Sequence, residues 1–395
     1  MKITAVKCLL LSAPYAIPGD LEREFCFADG HRTISVIKVE TDEGIYGLGE
    51  TYIGVFAPEA TKAIVQQLEV DLIGRDPTDI AGIANLMKLA IYYWGRFGMS
   101  ASIAGGIEMA LWDIKGKALG VPVHQLLGGK VHDHLPAYAS GGNNKPFPEL
   151  KAELEGYKKL GFGAVKIRIN YLEPHEIVEK VAYSREVLGK TGLGVDACQG
   201  VNPKAWNYKE AISIVRSLEP YNLLFVEEPC EVTDYKGFAK IRAETDCIIA
   251  GGETVSSLIE AENYLEAGAL DLFQPDAAII GGISAFRRIA QMCERKFMKI
   301  AVHTWAGGVG IMGNYHAAFA SPNCTVLELP NNPYPLREEF LIKPLTLVNG
   351  GIEAPTEPGL GVKLPEDVEK RYPYRPGSFY STVGYPKKNL EALKK

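Results

Sequence analysis

Four short β-rich runs in the middle of the chain each end at an acidic residue. They read LGVD at residues 193–196, LLFVEE at 223–228, CIIAGGE at 247–253 and LDLFQPD at 270–276. Stretches of helical pattern separate them, for example Tyr208–Leu218 and Ser256–Ala267, with apolar residues at three- and four-residue steps. Strands that alternate with helices predict parallel pairing through right-handed crossovers.

The same alternation extends on both sides of this stretch and gives eight strand candidates. Eight strand–helix units of roughly 30 residues are typical of a (β/α)8 barrel of the TIM type. An open doubly wound sheet is the alternative, but it is expected to carry a glycine-rich turn after its first strand, and none follows Leu135–Ser140. We therefore predict an α/β barrel with strands at Leu135–Ser140, Ala164–Arg168, Leu193–Asp196, Leu223–Glu227, Cys247–Gly252, Leu270–Gln274, Lys299–His303 and Thr325–Glu328.

The residues before the barrel show a different pattern, with strands first and helices afterwards. This order predicts an N-terminal α+β capping domain at residues 1–125, followed by the barrel at 126–330. Strand-like pieces in the C-terminal segment, residues 331–395, are expected to pack back onto the capping domain. The predicted elements of that domain are strands Ile3–Leu11, Arg32–Val39 and Ile45–Glu50 and helices Pro58–Leu72, Ile80–Ile91 and Ala101–Leu119.

Composition excludes several classes of protein. The 395 residues are 47% hydrophobic and 23% charged, as in ordinary globular proteins. The net charge of -6, without a basic stripe, argues against nucleic-acid binding, and no apolar run reaches the roughly 18–20 residues of a membrane span. Seven cysteines are scattered singly, which favours a reducing compartment, so a cytoplasmic location is predicted.

The residues that end the strands define the candidate site, because chemistry in such barrels lies at the C-terminal ends of the strands. Asp196, Glu227 and Glu253 end three consecutive strands. Any one of them alone reads as a solvated loop carboxylate, but three that converge cannot all stay ionised without a cation. A set of oxygen ligands without Cys or His predicts a hard ion, above all Mg2+.

Other polar residues reach the same end of the barrel. Asp276 and His303 end neighbouring strands, an arrangement in which the carboxylate fixes the imidazole tautomer and raises its basicity. Lys166 and Arg168 alternate along one strand, so both face the barrel interior, opposite the carboxylates or an anionic substrate. Glu328 ends the eighth strand and is a candidate for proton transfer at a substrate oxygen. The alternative for Lys166 and Arg168 is a structural ion pair. The alternative for Glu328 is an ordinary carboxylate at the rim of the barrel.

Taken together, these residues resemble the enolase superfamily and, within it, the mandelate racemase-like subgroup. The resemblance covers essentially the whole chain. It includes the motif GIEMALWDIKGK at residues 106–117, the step LLGG at 126–129 and PGLG at 358–361. It implies a Mg2+-dependent homo-oligomeric enzyme acting on a small carboxylate. The implied roles are Asp196, Glu227 and Glu253 as metal ligands, Asp276 and His303 as the acid/base dyad, and Glu328 behind the substrate carboxylate.

Two positions depart from the pattern of the subgroup. The subgroup usually has Lys-x-Lys on the second strand, with the second lysine as a base, and here that position is Arg168. Arginine stays charged and is a poor base, so symmetrical two-base racemisation is disfavoured. The subgroup also commonly has asparagine two residues after the first metal ligand, and here that residue is Cys198.

The expected reaction is abstraction of the proton next to a carboxylate through an ene-diolate. We expect a lyase that dehydrates a sugar acid to a 2-keto-3-deoxy acid, with either His303 or Lys166 taking the proton. Cycloisomerisation of a sugar lactone or anhydro-sugar acid uses the same chemistry and stays open, as does the disfavoured racemase or epimerase. A metal-binding barrel without turnover is the non-enzyme alternative, against which the dyad and Glu328 argue.

Loops of the capping domain are expected to cover the mouth of the site. The candidates are Tyr15–Arg32 and Tyr52–Pro58, which would exclude water and select the substrate. The candidate pocket residues are Tyr92, Tyr93, Trp94 and Trp305, with core packing as the alternative for the first three.

Overall fold

The N-terminal part of the chain folds into a three-stranded antiparallel sheet covered by helices. The computed structural model describes residues 1–15, 26–27, 30–378 and 380–381. Buried apolar side chains of the sheet and helices, among them Ile37, Val65 and Ile107, form a core of their own. The elements are β1 (Ile3–Pro14), β2 (Cys26–Phe27), β3 (His31–Thr41), β4 (Tyr46–Thr51), α1 (Pro58–Leu72), α2 (Ile80–Ala90), α3 (Met99–Leu119) and α4 (Val123–Leu126).

Eight parallel strands then close into a barrel, which confirms the predicted fold class. Each strand pairs with the next along the chain, and the eighth pairs with the first. The fifth, sixth and seventh strands end one or two residues sooner than predicted, whereas the fourth ends at Glu227 as predicted. At Glu228 and Gly252 the backbone takes a positive φ directly after the strand. The strands are β5 (His134–Ser140), β6 (Ala164–Arg168), β7 (Gly192–Asp196), β8 (Val226–Glu227), β9 (Ile249–Gly251), β10 (Leu272–Phe273), β11 (Lys299–Ala301) and β12 (Cys324–Pro330).

Helices surround the barrel and follow its strands, as the sequence pattern predicts. Their apolar faces cover the outside of the barrel in one large buried cluster. Inside, Tyr138, Phe225 and Leu272 form a separate apolar layer that fills the barrel, so the charged residues lie at its C-terminal end. The helices are α5 (Phe147–Leu160), α6 (Pro174–Leu188), α7 (Tyr208–Leu218), α8 (Tyr235–Glu244), α9 (Leu258–Ala267), α10 (Ala277–Ile280), α11 (Ile283–Glu294) and α12 (Gly308–Phe319).

The C-terminal segment contacts both the barrel and the capping domain. Within it lie α13 (Pro335–Glu338), β13 (Gly351–Glu353), α14 (Val368–Arg371) and β14 (Tyr380–Ser381). β13 pairs with the first barrel strand, whereas β14 pairs with β2. The division of the chain at residues 125 and 330 stays a proposal. None of the helices in the described ranges is long and apolar enough to cross a membrane.

Two acidic residues of the motif at residues 106–117 connect the capping domain to the barrel and to the C-terminal segment. Glu108 accepts hydrogen bonds from the backbone N–H groups of Ile283 (2.9 Å) and Ser284 (3.1 Å) at the start of α11. Asp113 accepts from the N–H groups of Leu48 (2.9 Å) in β4 and Leu360 (2.8 Å) in the C-terminal segment. The motif therefore fixes the long helix α3 to the barrel and to the chain end.

Candidate active site

The three carboxylates predicted as metal ligands lie together at the C-terminal end of the barrel. Asp196 ends β7, Glu227 ends β8 and Glu253 follows β9, and one oxygen of each lies within 4.8 Å of the others. Glu227 Oε1 is buried and has no hydrogen-bond partner in the described part of the chain. Burial and the charge of Asp196 raise the pKa of Glu227 well above its usual value.

This arrangement fits a divalent cation. Three converging carboxylates, two of them buried, repel one another unless a positive charge lies between them. The unpartnered oxygen of Glu227 is a buried acceptor that a metal ion would satisfy. A set of hard oxygen ligands with no nitrogen or sulfur is the donor chemistry of Mg2+.

The structure brings Asp276 and His303 into contact beside these carboxylates. His303 Nδ1 lies 2.9 Å from Asp276 Oδ2, and His303 Nε2 lies 3.3 Å from Glu253 Oε2. Burial lowers the pKa of His303, but the charge of Glu253 and the hydrogen bond to Asp276 outweigh it and raise this pKa to about 10. The second imidazole nitrogen therefore points toward the metal-ligand cluster, as a proton-transfer group requires.

Lys166 lies on the other side of the cluster and contacts three carboxylates. Its Nζ is 2.9 Å from Glu227 Oε2, 2.9 Å from Glu328 Oε1 and 3.5 Å from Asp196 Oδ2. Burial lowers the pKa of Lys166, but the charges of Glu227 and Glu328 reverse this and raise the pKa well above its usual value. Lys166 is thus held in the charged form.

Arg168 extends from the same strand over an aromatic ring. Its guanidinium carbon lies 4.5 Å from the centre of the Trp305 ring, and its NH1 donates to Asn143 Oδ1 at 3.1 Å. Its Nε lies 3.9 Å from Asp196 Oδ2. The stacked cation therefore lies beside Asp196, the first of the predicted metal ligands.

Glu328 holds the loop that follows His303. It accepts hydrogen bonds from Thr304 N (2.8 Å) and Trp305 Nε1 (3.2 Å). Burial raises the pKa of Glu328, but Lys166 and His303 outweigh this and lower it to about 2. A carboxylate that stays ionised is suited to positioning and to electrostatic support, not to giving up a proton.

A cavity of about 280 Å³ opens above these residues between the two domains. The barrel contributes Asp196, Glu253 and Trp305 to its wall, so Trp305 occupies the predicted place. The capping domain contributes Tyr52 and Phe56, from one of the two segments expected over the mouth.

Two other expectations about the pocket have different outcomes. Most of the segment Tyr15–Arg32 falls outside the described residues, but its two ends, Tyr15 and Arg32, line the cavity. The expectation for Tyr92, Tyr93 and Trp94 is wrong in both forms, pocket lining and core packing. These side chains are 48%, 96% and 44% exposed, because α2 ends at Ala90 and the chain then turns on the outer surface.

The chain matches known proteins along most of its length. A family model described as "Enolase C-terminal domain-like" matches residues 149–368, and the "Mandelate racemase / muconate lactonizing enzyme, N-terminal domain" matches residues 27–128. The chain belongs to the enolase superfamily. Within it, the chain is of the mandelate racemase-like subgroup, as the motifs predict.

Relatives of this enolase-superfamily member differ in their reactions. The "D-galactonate dehydratase" of Xanthomonas campestris pv. campestris is 35% identical over 364 residues, which cover 88% of this chain and 93% of the relative. The 3,6-anhydro-D-galactonate cycloisomerase from Zobellia galactanivorans superimposes with a TM-score of 0.84 at 28% identity, covering 94% of this chain and 99% of its own. L-Talarate dehydratase from Polaromonas sp. JS666, in complex with Mg and L-glucarate, has a TM-score of 0.82 at 28% identity, covering 98% and 99%.

Two residues of the site, Glu228 and Asn143, were not predicted from the sequence, and a third, Arg32, was predicted only as the end of the segment Tyr15–Arg32. Glu228 lines the cavity and is buried, with an Oε1 that lacks a partner within the described residues. Arg32, from the capping domain, lines it as well, and Asn143 orients Arg168. The doubled acidic residue at 227–228 was a signal for the first, whereas no local pattern marks Arg32 or Asn143.

Several histidines outside the dyad have backbone partners, as structural side chains do: His124, His132 and His134 each bond a carbonyl oxygen. His124 and His316 form the most buried example, with stacked rings 5.4 Å apart. His316 Nδ1 accepts a hydrogen bond from the backbone N–H of His124 at 3.1 Å. Burial and the proximity of His124 lower the pKa of His316 to about 3.

We expect this pair to make the protein less stable in acid. The unfolded chain binds a proton at His316 near pH 6.5 and the folded chain only near pH 3, so stability falls as the pH drops from 6.5 toward 3. From pH 7 to pH 5, wild type should lose about 2 kcal/mol more unfolding free energy than His316→Asn. Urea titrations of both proteins at the two pH values test this. Equal losses in the two proteins would contradict it.

Proposed function

We propose that this enzyme removes the proton next to the carboxylate of a sugar acid and eliminates a β-hydroxyl group, giving a 2-keto-3-deoxy acid. The observation that carries the proposal is the position of His303. Its Nδ1 is held by Asp276, and its Nε2 faces the carboxylate cluster at 3.3 Å from Glu253. A base fixed in one tautomer therefore shares the cavity with the group of residues that would hold Mg2+.

Asp196, Glu227 and Glu253 would hold the metal ion. When bound, the ion supplies positive charge that binds the substrate carboxylate, offsets the charge of Glu253 and stabilises the negative charge that develops as the proton leaves. The residues of the chain do the rest: Arg168 and Lys166 attract and orient the acid from their side of the cluster, and Glu328 holds the loop of His303.

His303 is the better candidate for the proton transfer. Without the ion, nearby carboxylates hold both Lys166 and His303 in the charged form. A bound cation would offset the charge of Glu253, which does most to raise the pKa of His303, whereas Lys166 would keep its 2.9 Å contact with Glu328, which is not one of the proposed metal ligands. His303 faces the cavity through a single nitrogen and is oriented by Asp276. In the proposed reaction it takes the α-proton and then gives that proton to the departing β-hydroxyl, which leaves as water; the enol that remains tautomerises to the 2-keto-3-deoxy acid.

Cycloisomerisation is the second candidate function, and the similarity to the Zobellia galactanivorans cycloisomerase supports it. The first step is the same in both reactions, and they differ only in the group that leaves. Racemisation is less well supported, because Arg168 occupies the position of the second base and is stacked on Trp305.

Arg168→Met is expected to weaken substrate binding more than turnover. Methionine keeps the unbranched apolar part of the side chain but removes the guanidinium charge that faces the acid. Charge-assisted hydrogen bonds contribute about 1.5–3 kcal/mol, so KM should rise roughly 10- to 100-fold. Steady-state kinetics at saturating Mg2+ measures this. An unchanged KM would show that Arg168 does not contact the substrate.

A screen of sugar acids with Mg2+ in D2O tests the proposed function. D-Galactonate and L-glucarate come first, with 2-keto acid formation read by semicarbazide and α-deuterium incorporation read by NMR. A keto product would support dehydration, and exchange without it would favour cycloisomerisation or epimerisation. The absence of both signals across a broad library would contradict the proposal.

The cytoplasmic location and the homo-oligomeric state stay predictions.

A further inference from the structure

The helix that follows His303 begins against a buried carboxylate of the capping domain. Glu50, in β4, accepts hydrogen bonds from Gly307 N at 2.6 Å and Gly310 N at 2.8 Å. These N–H groups lie at the start of α12, in which every residue is buried. The first N–H groups of a helix have no partner within the helix, so an acceptor from outside satisfies them.

A second contact from the capping domain holds the same loop. The guanidinium of Arg32, in β3, donates to the backbone carbonyl of Trp305, and Tyr334 OH donates to the carbonyl of Arg32 at 3.1 Å. The loop from His303 to Gly307 is thus attached to the capping domain at Trp305 and Gly307. From the barrel side, Glu328 binds Thr304 N and Trp305 Nε1.

α12 also carries the residue that orients Asp276. Asn314 Nδ2 donates to Asp276 Oδ1 at 2.7 Å, and Asn314 Oδ1 accepts from Ala277 N at 2.7 Å. The other carboxylate oxygen of Asp276 binds His303 Nδ1. Both members of the dyad therefore depend on α12: His303 through the loop before it and Asp276 through Asn314.

We propose that Glu50 is a positioning residue that fixes the Asp276–His303 pair from the capping domain by holding the start of α12. The proposal depends on the proposed function only in treating this pair as catalytic. Burial raises the pKa of Glu50 to about 7, although the two N–H donors and the charge of Arg32 act to lower it. Without these donors and Arg32, burial of the carboxylate would cost more free energy. The two glycines allow its close approach, since a Cβ on Gly307 would lie 3.0 Å from both oxygens.

Glu50→Gln tests the proposal without a substrate. The amide offers one acceptor oxygen in place of two, so one N–H of α12 loses its partner. We expect amide hydrogen exchange in peptides covering residues 304–314 to accelerate on the order of tenfold in the Mg2+-loaded full chain. The downfield proton resonance of the imidazole N–H bound to Asp276, assigned by its loss in His303→Asn, should shift or broaden.

Asp113→Asn is the matched control. Asp113 is also a buried carboxylate of the capping domain that accepts two backbone N–H groups, but these belong to Leu48 and Leu360. It should lower global stability without selectively accelerating exchange at 304–314 or moving the imidazole resonance. A response equal to that of Glu50→Gln would reduce Glu50 to a general structural role and overturn the proposal, as would unchanged exchange in Glu50→Gln.

Gly307→Ala keeps the proposal testable if Glu50→Gln does not fold. The added methyl group would lie 3.0 Å from both Glu50 oxygens and from Ile34 Cδ1, so it crowds the carboxylate without removing a polar group. Faster exchange at 304–314 with the same change in the imidazole resonance is the expected result. Wild-type exchange and an unchanged resonance in Gly307→Ala would overturn the proposal.

Discussion

His303→Asn is expected to lower turnover of the sugar acid by roughly 10²- to 10⁴-fold, the range that positioned proton transfer usually contributes. Asparagine fills part of the space of the imidazole and can still donate to Asp276, but it cannot accept a proton at neutral pH. The metal-ligand carboxylates remain in place, because they come from β7, β8 and the residues after β9. Initial rates at saturating Mg2+ and substrate measure the effect.

His175→Asn is the control for this variant, since His175 is exposed on α6, outside the cavity. It should retain wild-type turnover. Mg2+ binding, followed by calorimetry, should survive in both variants, so that a loss of activity in His303→Asn is assigned to proton transfer. Turnover within a few-fold of wild type in His303→Asn would transfer the role of base to Lys166 or to another group and contradict the proposed mechanism.

The parts of the site that follow the barrel repeat were predictable from the sequence. Asp196, Glu227 and Glu253 stand at equivalent strand ends, and closure of a parallel barrel brings such ends to one side. The same reasoning brings His303 beside Asp276 without any similarity between their local sequences. The strand pattern is thus sufficient for residues whose place is set by one strand each.

Residues placed by irregular backbone or by packing between domains were not predictable in this way. Alternation along a strand sends Glu228 away from the face of Glu227, but a φ of 45° turns the chain there and Glu228 lines the cavity. Arg32 and Glu50 reach the site only because the capping domain packs on the loop after His303. Such contacts join residues more than 250 positions apart, and no sequence period encodes them.

Removal of Mg2+ is expected to have the other large effect, on activity and stability together. Charge stabilisation by a metal ion contributes several kcal/mol to such a reaction, so EDTA should reduce turnover roughly 10³-fold or more. In the folded protein, Asp196, Glu227 and Glu253 repel one another across less than 4.8 Å. A cation present at a free concentration of 100 times its Kd would add about 2.7 kcal/mol to the unfolding free energy. Thermal unfolding with and without Mg2+ measures this gain.

Glu227→Gln separates the two effects of the ion. The neutral amide removes one of the three charges and the ligand with the unpartnered oxygen, so Mg2+ affinity should fall by more than the roughly 10–100-fold typical of residues outside the ligand set. The same change relieves repulsion among the carboxylates but removes one of the two 2.9 Å carboxylate contacts of the buried Lys166, which keeps the contact with Glu328. These effects oppose each other, so the metal-free variant should have a stability close to that of the metal-free wild type. Glu262→Gln, on the exposed face of α9, should behave as wild type.

Full activity in EDTA would contradict a metal-dependent reaction. A Mg2+-dependent gain in stability without turnover of any acid would instead favour a barrel that binds metal and does not catalyse.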